Sequence, residues 1–142
     1  DLNYDSLYPI IIEHNSIYED QSVLPNLIDV FKTLDSHIKI NVEVKSPFAS
    51  DLRTARALSK VIKYIPKNRI IISSFNPFVI LYFKLFHRDI ITGFLYQNQD
   101  YLWFVNWIQP SYIHPSADLL NDELIEYAKD KNYGINRNIC GR

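Results

Sequence analysis

The sequence predicts an α/β fold in which about four parallel strands alternate with helices, and three features carry that reading. Residues 38–45 alternate strictly. Ile38, Ile40, Val42 and Val44 hold one parity and Lys39, Asn41, Glu43 and Lys45 the other, so an extended chain there has an aliphatic and a charged face. Three consecutive isoleucines, Ile70, Ile71 and Ile72, mark a strand covered on both faces, as in parallel sheets packed between layers. Helix and strand patterns then alternate with short connections, which indicates right-handed helical crossovers between parallel strands.

Taken in order, Asn26 is placed to cap a helix whose Leu27, Val30, Phe31 and Leu34 recur at helical spacing before the strand at 38–45. After the turn at Pro47, Ser50 or Asp51 can cap a second helix. Its buried stripe is Leu52, Ala55, Leu58, Val61, Ile62 and Ile65, ended by Pro66 and Asn68. The strand at 70–75 follows. Asn76, with Pro77 at the first helical position, opens a third helix, and residues 89–96 read as the next short strand. Residues 100–108 read as a short helix or turn-rich segment and 111–115 as a short strand. Asn121 then caps a helix with Asp122 and Glu123 in its first turn, Lys129 and Lys131 in its last, and Gly134 just beyond its end.

Composition restricts the function classes. The 142 residues, 47% hydrophobic and 22% charged, suit one globular domain or part of one, read here as a single unit over 1–142. Fifteen basic residues against sixteen acidic ones, with no basic stripe, argue against nucleic acid or an anionic membrane surface as partner. A lone cysteine, Cys140, permits no internal disulfide. With no signal-peptide pattern at the start, it leads to the expectation of a reducing, cytoplasmic setting. The most apolar stretch, 78–95, is interrupted by Lys84 and by residues 87–89, so a buried helix and strand are expected rather than a transmembrane span.

The motif order, a proline-led helix, then "IKINVEVKSP", "NRIIISSFNP" and "YIHPSADLLNDELIEYAKDKNYGIN", resembles the middle and later part of a glycerophosphodiester phosphodiesterase domain over roughly residues 20–136. The resemblance implies an incomplete TIM-type (β/α)8 barrel with its site at the carboxyl ends of the strands. It also implies hydrolysis of a small-molecule glycerophosphodiester to glycerol 3-phosphate and an alcohol, with Mg²⁺ or Ca²⁺ as cofactor. On that basis Glu43 is a metal-ligand carboxylate and Lys45 a cation facing the phosphodiester. Ser73, Ser74 and Phe75 stand at the next strand end and His114 at a later rim, with Lys45, Phe75 and His114 counted as substrate-binding.

The family's His-Arg-Gly strand, Glu-x-Asp strand and His-Asp pair do not occur here, so no catalytic acid or base is assigned. A barrel of this kind takes about 250 residues, which makes a truncated domain the expectation. That domain would be nearly inactive alone, and it would tend to self-associate or to be completed by an N-terminal chain. A non-catalytic remnant or binding module and one half of a split barrel are the alternatives. The run from Tyr8 to Ile12 is a candidate edge strand. His14, His37 and His87 lack positioned partners and read as surface or structurally satisfied histidines. Trp103, Phe104 and Trp107 read as core or a lid-like packing segment, and Ser73 and Ser74 lack the neighbouring base a nucleophile needs.

Overall fold

A computed structural model describes residues 26–136. The expectations for Tyr8 to Ile12, His14 and Cys140 therefore fall outside the described residues. The chain divides into two units, residues 1–35 and 36–142. In the first, α1 (Leu27–Thr33) begins as its sequence predicts: the Asn26 side chain accepts from the Asp29 backbone N–H at 3.0 Å, and its amide donates to the Asp29 carboxylate. Thr33 turns its hydroxyl back onto the Asp29 and Val30 carbonyls.

The second unit is built from β1 (Ile40–Glu43), α2 (Arg53–Val61), β2 (Ile70–Ser74), α3 (Pro77–Phe86), β3 (Ile91–Tyr96), α4 (Leu102–Ile108), β4 (Tyr112–Pro115), α5 (Asp122–Asp130) and β5 (Gly134–Ile135). All strands run parallel, and their spatial order is their chain order. Residues in register across parallel strands share a face. Val42, Ile72 and Thr92 stand in one such row, and Ser74, Phe94 and Ile113 in another.

That face is the one the helices cover. Ile80 of α3, Phe94 and Tyr96 of β3, Val105 and Ile108 of α4, Ile113 of β4, and Leu124 and Ala128 of α5 form one buried cluster. Helices on one side of a sheet whose strands follow in chain order are the arrangement of a singly wound (β/α) barrel, here a five-stranded part of one. The strong amphipathy of α2 matches its place in that layer. Ala55, Leu58, Ile62 and Ile65 are buried, and the last two continue the stripe through a 3₁₀ turn.

Several boundaries differ from the sequence reading for identifiable reasons. The first strand is shorter than 38–45, because only residues 40–43 form the ladder. Val44 still donates to the Ser73 carbonyl at 2.7 Å, and Ile38 gives its carbonyl to the Arg69 side chain instead. Neither Ser50 nor Asp51 is the N-cap of α2: that position is Leu52, which makes no side-chain cap bond, and Asp51 acts from one residue ahead of it. The Asp51 carboxylate takes the Arg53 N–H at 3.0 Å and the Arg53 guanidinium through two further bonds. That hydrogen bonding holds the Asp51 carboxyl down at about 2.

The end of α5 is not a glycine cap. Asn132 takes the left-handed conformation, φ 58°, while Tyr133 and Asn132 donate to the Ala128 and Lys129 carbonyls in a Schellman pattern. Asparagine tolerates that conformation better than most residues, which frees Gly134 to begin β5, the two-residue stub of a fifth strand after the four read from the sequence. What requires glycine at 134 is space: a Cβ there would sit 2.3 Å from the Tyr112 ring.

Trp103 and Trp107 do not belong to the core. They are 60% and 52% exposed, because α4 is two turns long and turns Val105 and Ile108 inward. Phe104 is half-buried between them, stacked on Trp103 at 3.6 Å between centroids. His87 closes α3 against the Tyr82 and Phe83 rings, and His37 is exposed.

Candidate functional site

Register sets Glu43, Ser73, Gly93 and Tyr112 in one row across the sheet, on the face opposite to Phe94 and Ile113. Leu95 and His114 form the next row toward the carboxyl ends on that same face. By strand parity Asn41, Glu43, Ile71, Ser73, Ile91, Gly93, Leu95, Tyr112 and His114 are the inner residues, on the face opposite to the cluster that joins α3, α4 and α5 to the sheet. In a (β/α) barrel this face turns to the lumen, and its carboxyl end is the mouth.

Lys45 and Phe75 lie just past the carboxyl ends of β1 and β2, and both are exposed. The backbone that carries Lys45 is nonetheless held from both sides. Ahead of it, Val44 donates to the Ser73 carbonyl and accepts from the Ser74 hydroxyl, each at 2.7 Å. Behind it, the buried Asn76 uses one amide for several tasks. Its oxygen caps α3 through the Phe78 N–H at 2.9 Å, and its nitrogen reaches the Ser46 hydroxyl and the Phe48 and Ala49 carbonyls at 3.0–3.2 Å.

A residue that sequence alone marks as an N-cap thus also fixes the loop after β1. Asn76→Ala is expected to cost about 2 kcal/mol in unfolding free energy, from the lost cap and the carbonyls left unpaired. Urea denaturation gives that number. An equal loss in Asn76→Asp, which keeps the cap but not the amide donors, would place the cost in the loop.

His114 is 2% exposed, and its Nε2 has no hydrogen-bond partner among the described residues. The ring occupies space left by Gly93, where a Cβ would fall 2.5 Å from Nε2. An isolated glycine within a strand pattern is the sequence signal for such a close approach, and the reading of 89–96 did not use it. Burial pushes the His114 imidazole down to about 4, so it is neutral at neutral pH. Ser73, in register with Gly93, likewise carries a buried hydroxyl with no partner among the described residues. Two unsatisfied polar groups therefore flank Gly93 on the inner face. Ser74 is different, since its hydroxyl is taken up by Val44 and by the Asn76 N–H at 3.0 Å.

The carboxylate of Glu43 stands half-buried on this face. Among the described residues no three His, Cys, Asp or Glu side chains gather in a way that could hold a metal ion. Glu43 is a single hard oxygen donor there, and with the other described residues it does not make up the several oxygen ligands that Mg²⁺ or Ca²⁺ takes. No helix among the described residues is long and apolar enough to cross a membrane.

The sequence matches no known family profile and no curated protein. The fold does have counterparts among solved structures. A phosphodiesterase of Oleispira antarctica in complex with the product sn-glycerol-3-phosphate superposes with a TM-score of 0.69 at 17% identity, covering 83% of this chain and 50% of its own. A candidate glycerophosphodiester phosphodiesterase of Galdieria sulphuraria gives 0.65 at 16% identity, covering 78% of this chain and 47% of its own. A candidate glycerophosphoryl diester phosphodiesterase of Silicibacter pomeroyi gives 0.60 at 18%, covering 94% and 45%. The chain thus has the fold of part of these TIM barrels and spans about half their length.

Proposed function

We propose that the inner face at the carboxyl ends of β1 to β4 is the phosphodiester-binding part of a glycerophosphodiester hydrolase, whose products are glycerol 3-phosphate and an alcohol. One observation supports this most: the register puts Glu43, Ser73 and His114 on a single face, opposite the cluster that joins the helices to the sheet and below a lysine whose backbone is anchored on both sides. The Oleispira counterpart, bound to sn-glycerol-3-phosphate, supplies the substrate class.

In this reading Lys45 opposes the phosphate charge at the mouth, where a compact ammonium on a flexible stem can follow the charge that grows in the transition state. Phe75, exposed at the end of β2, offers an apolar wall to the glycerol carbons. The neutral His114 and Ser73 are buried beneath that mouth, and their unpartnered ring nitrogen and hydroxyl would reach a substrate oxygen only as the cover over them gives way. Glu43 would give one oxygen to a Mg²⁺ or Ca²⁺ ion, whose other oxygen ligands the described residues do not supply.

Among the described residues no three His, Cys, Asp or Glu side chains gather around His114, and the sequence lacks the family's His-Arg-Gly and His-Asp motifs that would share acid and base work with it. We therefore read the chain as a binding half of the barrel, with little turnover by itself. It would be completed through pairing at the β1 edge, where the described residues supply no neighbour, by a second copy or a complementing chain. A cytoplasmic setting belongs to the same proposal and rests on the single-cysteine composition.

The expected outcome is that purified 1–142 releases no glycerol 3-phosphate from glycerophosphocholine above background, with or without Mg²⁺ or Ca²⁺. General acid-base catalysis alone commonly contributes about 10²- to 10⁴-fold. Metal-dependent release abolished by Glu43→Gln would show that the chain is a complete catalyst.

A further inference from the structure

On the helix-bearing side of the sheet, near the amino ends of β3 and β4, a cavity of about 470 Å³ opens between α3 and α4, lined in part by Leu81, Lys84, Leu85, Arg88, Ile90 and Trp107. That volume is within the range of small-molecule sites. Lys84 is half-buried in its wall. The ammonium donates to the Ile108 carbonyl at 2.8 Å and to the Gln109 carbonyl, where α4 ends. An ammonium carries three donors, so one N–H and the charge itself are left over.

The two carbonyls fix the position of Lys84, but dipoles do not neutralise a charge. Among the described residues neither Lys84 nor Arg88 is in an ion pair. The acid next in sequence, Asp89, faces Lys67 at 3.7 Å instead. Burial holds the Lys84 ammonium below the ordinary lysine range, as expected of a desolvated cation that lacks a counter-ion. Lys84 and Arg88 are also the charged side chains of this lining among the described residues, so its formal charge is wholly positive. Leu81, Leu85, Ile90 and the half-exposed Trp107 ring make the remainder an apolar wall. Uncompensated cations beside such a wall favour an anion with an apolar body over a cation, a sugar or a bare inorganic ion.

We propose that this cavity binds a small carboxylate with an apolar body, its carboxylate between Lys84 and Arg88 and its body against Leu81, Leu85 and Trp107. The site lies at the amino ends of the strands, whereas Glu43, Lys45 and Phe75 stand at or past the carboxyl ends, so it does not depend on the phosphodiester reading.

Phenylbutyrate is the probe. Its primary amide, which keeps the shape without the charge, and acetate, which keeps the charge without the body, are the controls. Amide NMR titration of the full chain at neutral pH is expected to move signals at 81–92 and 107–111 with phenylbutyrate, with each control at least ~10-fold weaker. Lys84→Met keeps the aliphatic stem and should bring phenylbutyrate and its amide to similar affinity. It also loses the bonds to the α4 carbonyls, so its melting temperature should fall, and binding is read well below it. Arg88→Gln changes an exposed side chain, so it should leave the melting temperature unchanged and weaken phenylbutyrate about 2- to 5-fold. The proposal is overturned if phenylbutyrate leaves these signals unmoved or if either control binds as well as the probe. It is also overturned if the carboxylate keeps its full advantage over the amide in both variants, since Lys84 would then serve only to cap α4.

Discussion

Replacing Phe94 by alanine is expected to lower the unfolding free energy by about 3–5 kcal/mol, a large part of the roughly 5–15 kcal/mol that holds an ordinary domain together. Phe94 is fully buried in β3 and belongs to the cluster joining α3, α4 and α5 to the sheet, with its ring stacked 6.0 Å from that of Tyr96. Truncation leaves a cavity beneath three helices that cannot all collapse into it. The loss is also specific to one face. Leu95→Ala, at the adjacent residue but on the inner side, should cost less, because Leu95, though also buried, stands outside the cluster that joins the helices to the sheet. Chemical denaturation of both variants gives the comparison, and equal losses would contradict the one-sided layering.

The second large effect is acid sensitivity centred on His114. Its folded pKa is depressed to about 4 by burial, against 6.5 for the free side chain. Between those values the unfolded chain binds more protons than the folded one, so stability rises with pH. The stabilising contribution is fully present above about pH 6.5, is lost as pH falls toward about 4, and amounts to ~3 kcal/mol. Among the described residues the ring has the Tyr112 ring edge-on at 6.4 Å and no hydrogen-bond partner at Nε2 to stabilise the imidazolium. Urea midpoints measured between about pH 7 and about pH 4.5 should fall more steeply in the native chain than in His114→Gln. Parallel slopes for the two would mean that His114 is solvated.

Much of this arrangement was legible in the sequence, and what was not has a common cause. Alternation in 38–45 placed Glu43 opposite Val42, and the Asn76-Pro77 and Asn121 caps located α3 and α5, because period and capping are local. Register is a property of pairs of strands. That Ser73 aligns with Glu43 and Gly93, or that His114 lies over Gly93, follows from hydrogen bonding between segments far apart in the chain.

Competition between residues for one task was equally hidden. Gly134 suits a helix cap as a type, but Asn132 took that conformation while Tyr112 claimed the space at 134. The exposure of Trp103 and Trp107 was not readable either, since hydrophobicity alone does not say which side of a two-turn helix faces the sheet. The anchoring of Lys45 through Ser74 and Asn76 depends on side chains about thirty positions away.

The central claim is that phosphate is held on the inner face at the mouth formed by β1 and β2. The direct test is an amide NMR titration of the chain with sn-glycerol 3-phosphate, repeated in Lys45→Ala. The account predicts shifts concentrated at 43–46, 73–76, 93–95 and 114, lost in the Lys45 variant while its spectrum stays that of the folded protein. Shifts confined to the helix side, around Trp107 or Tyr127, or shifts of the same size in Lys45→Ala, would contradict it.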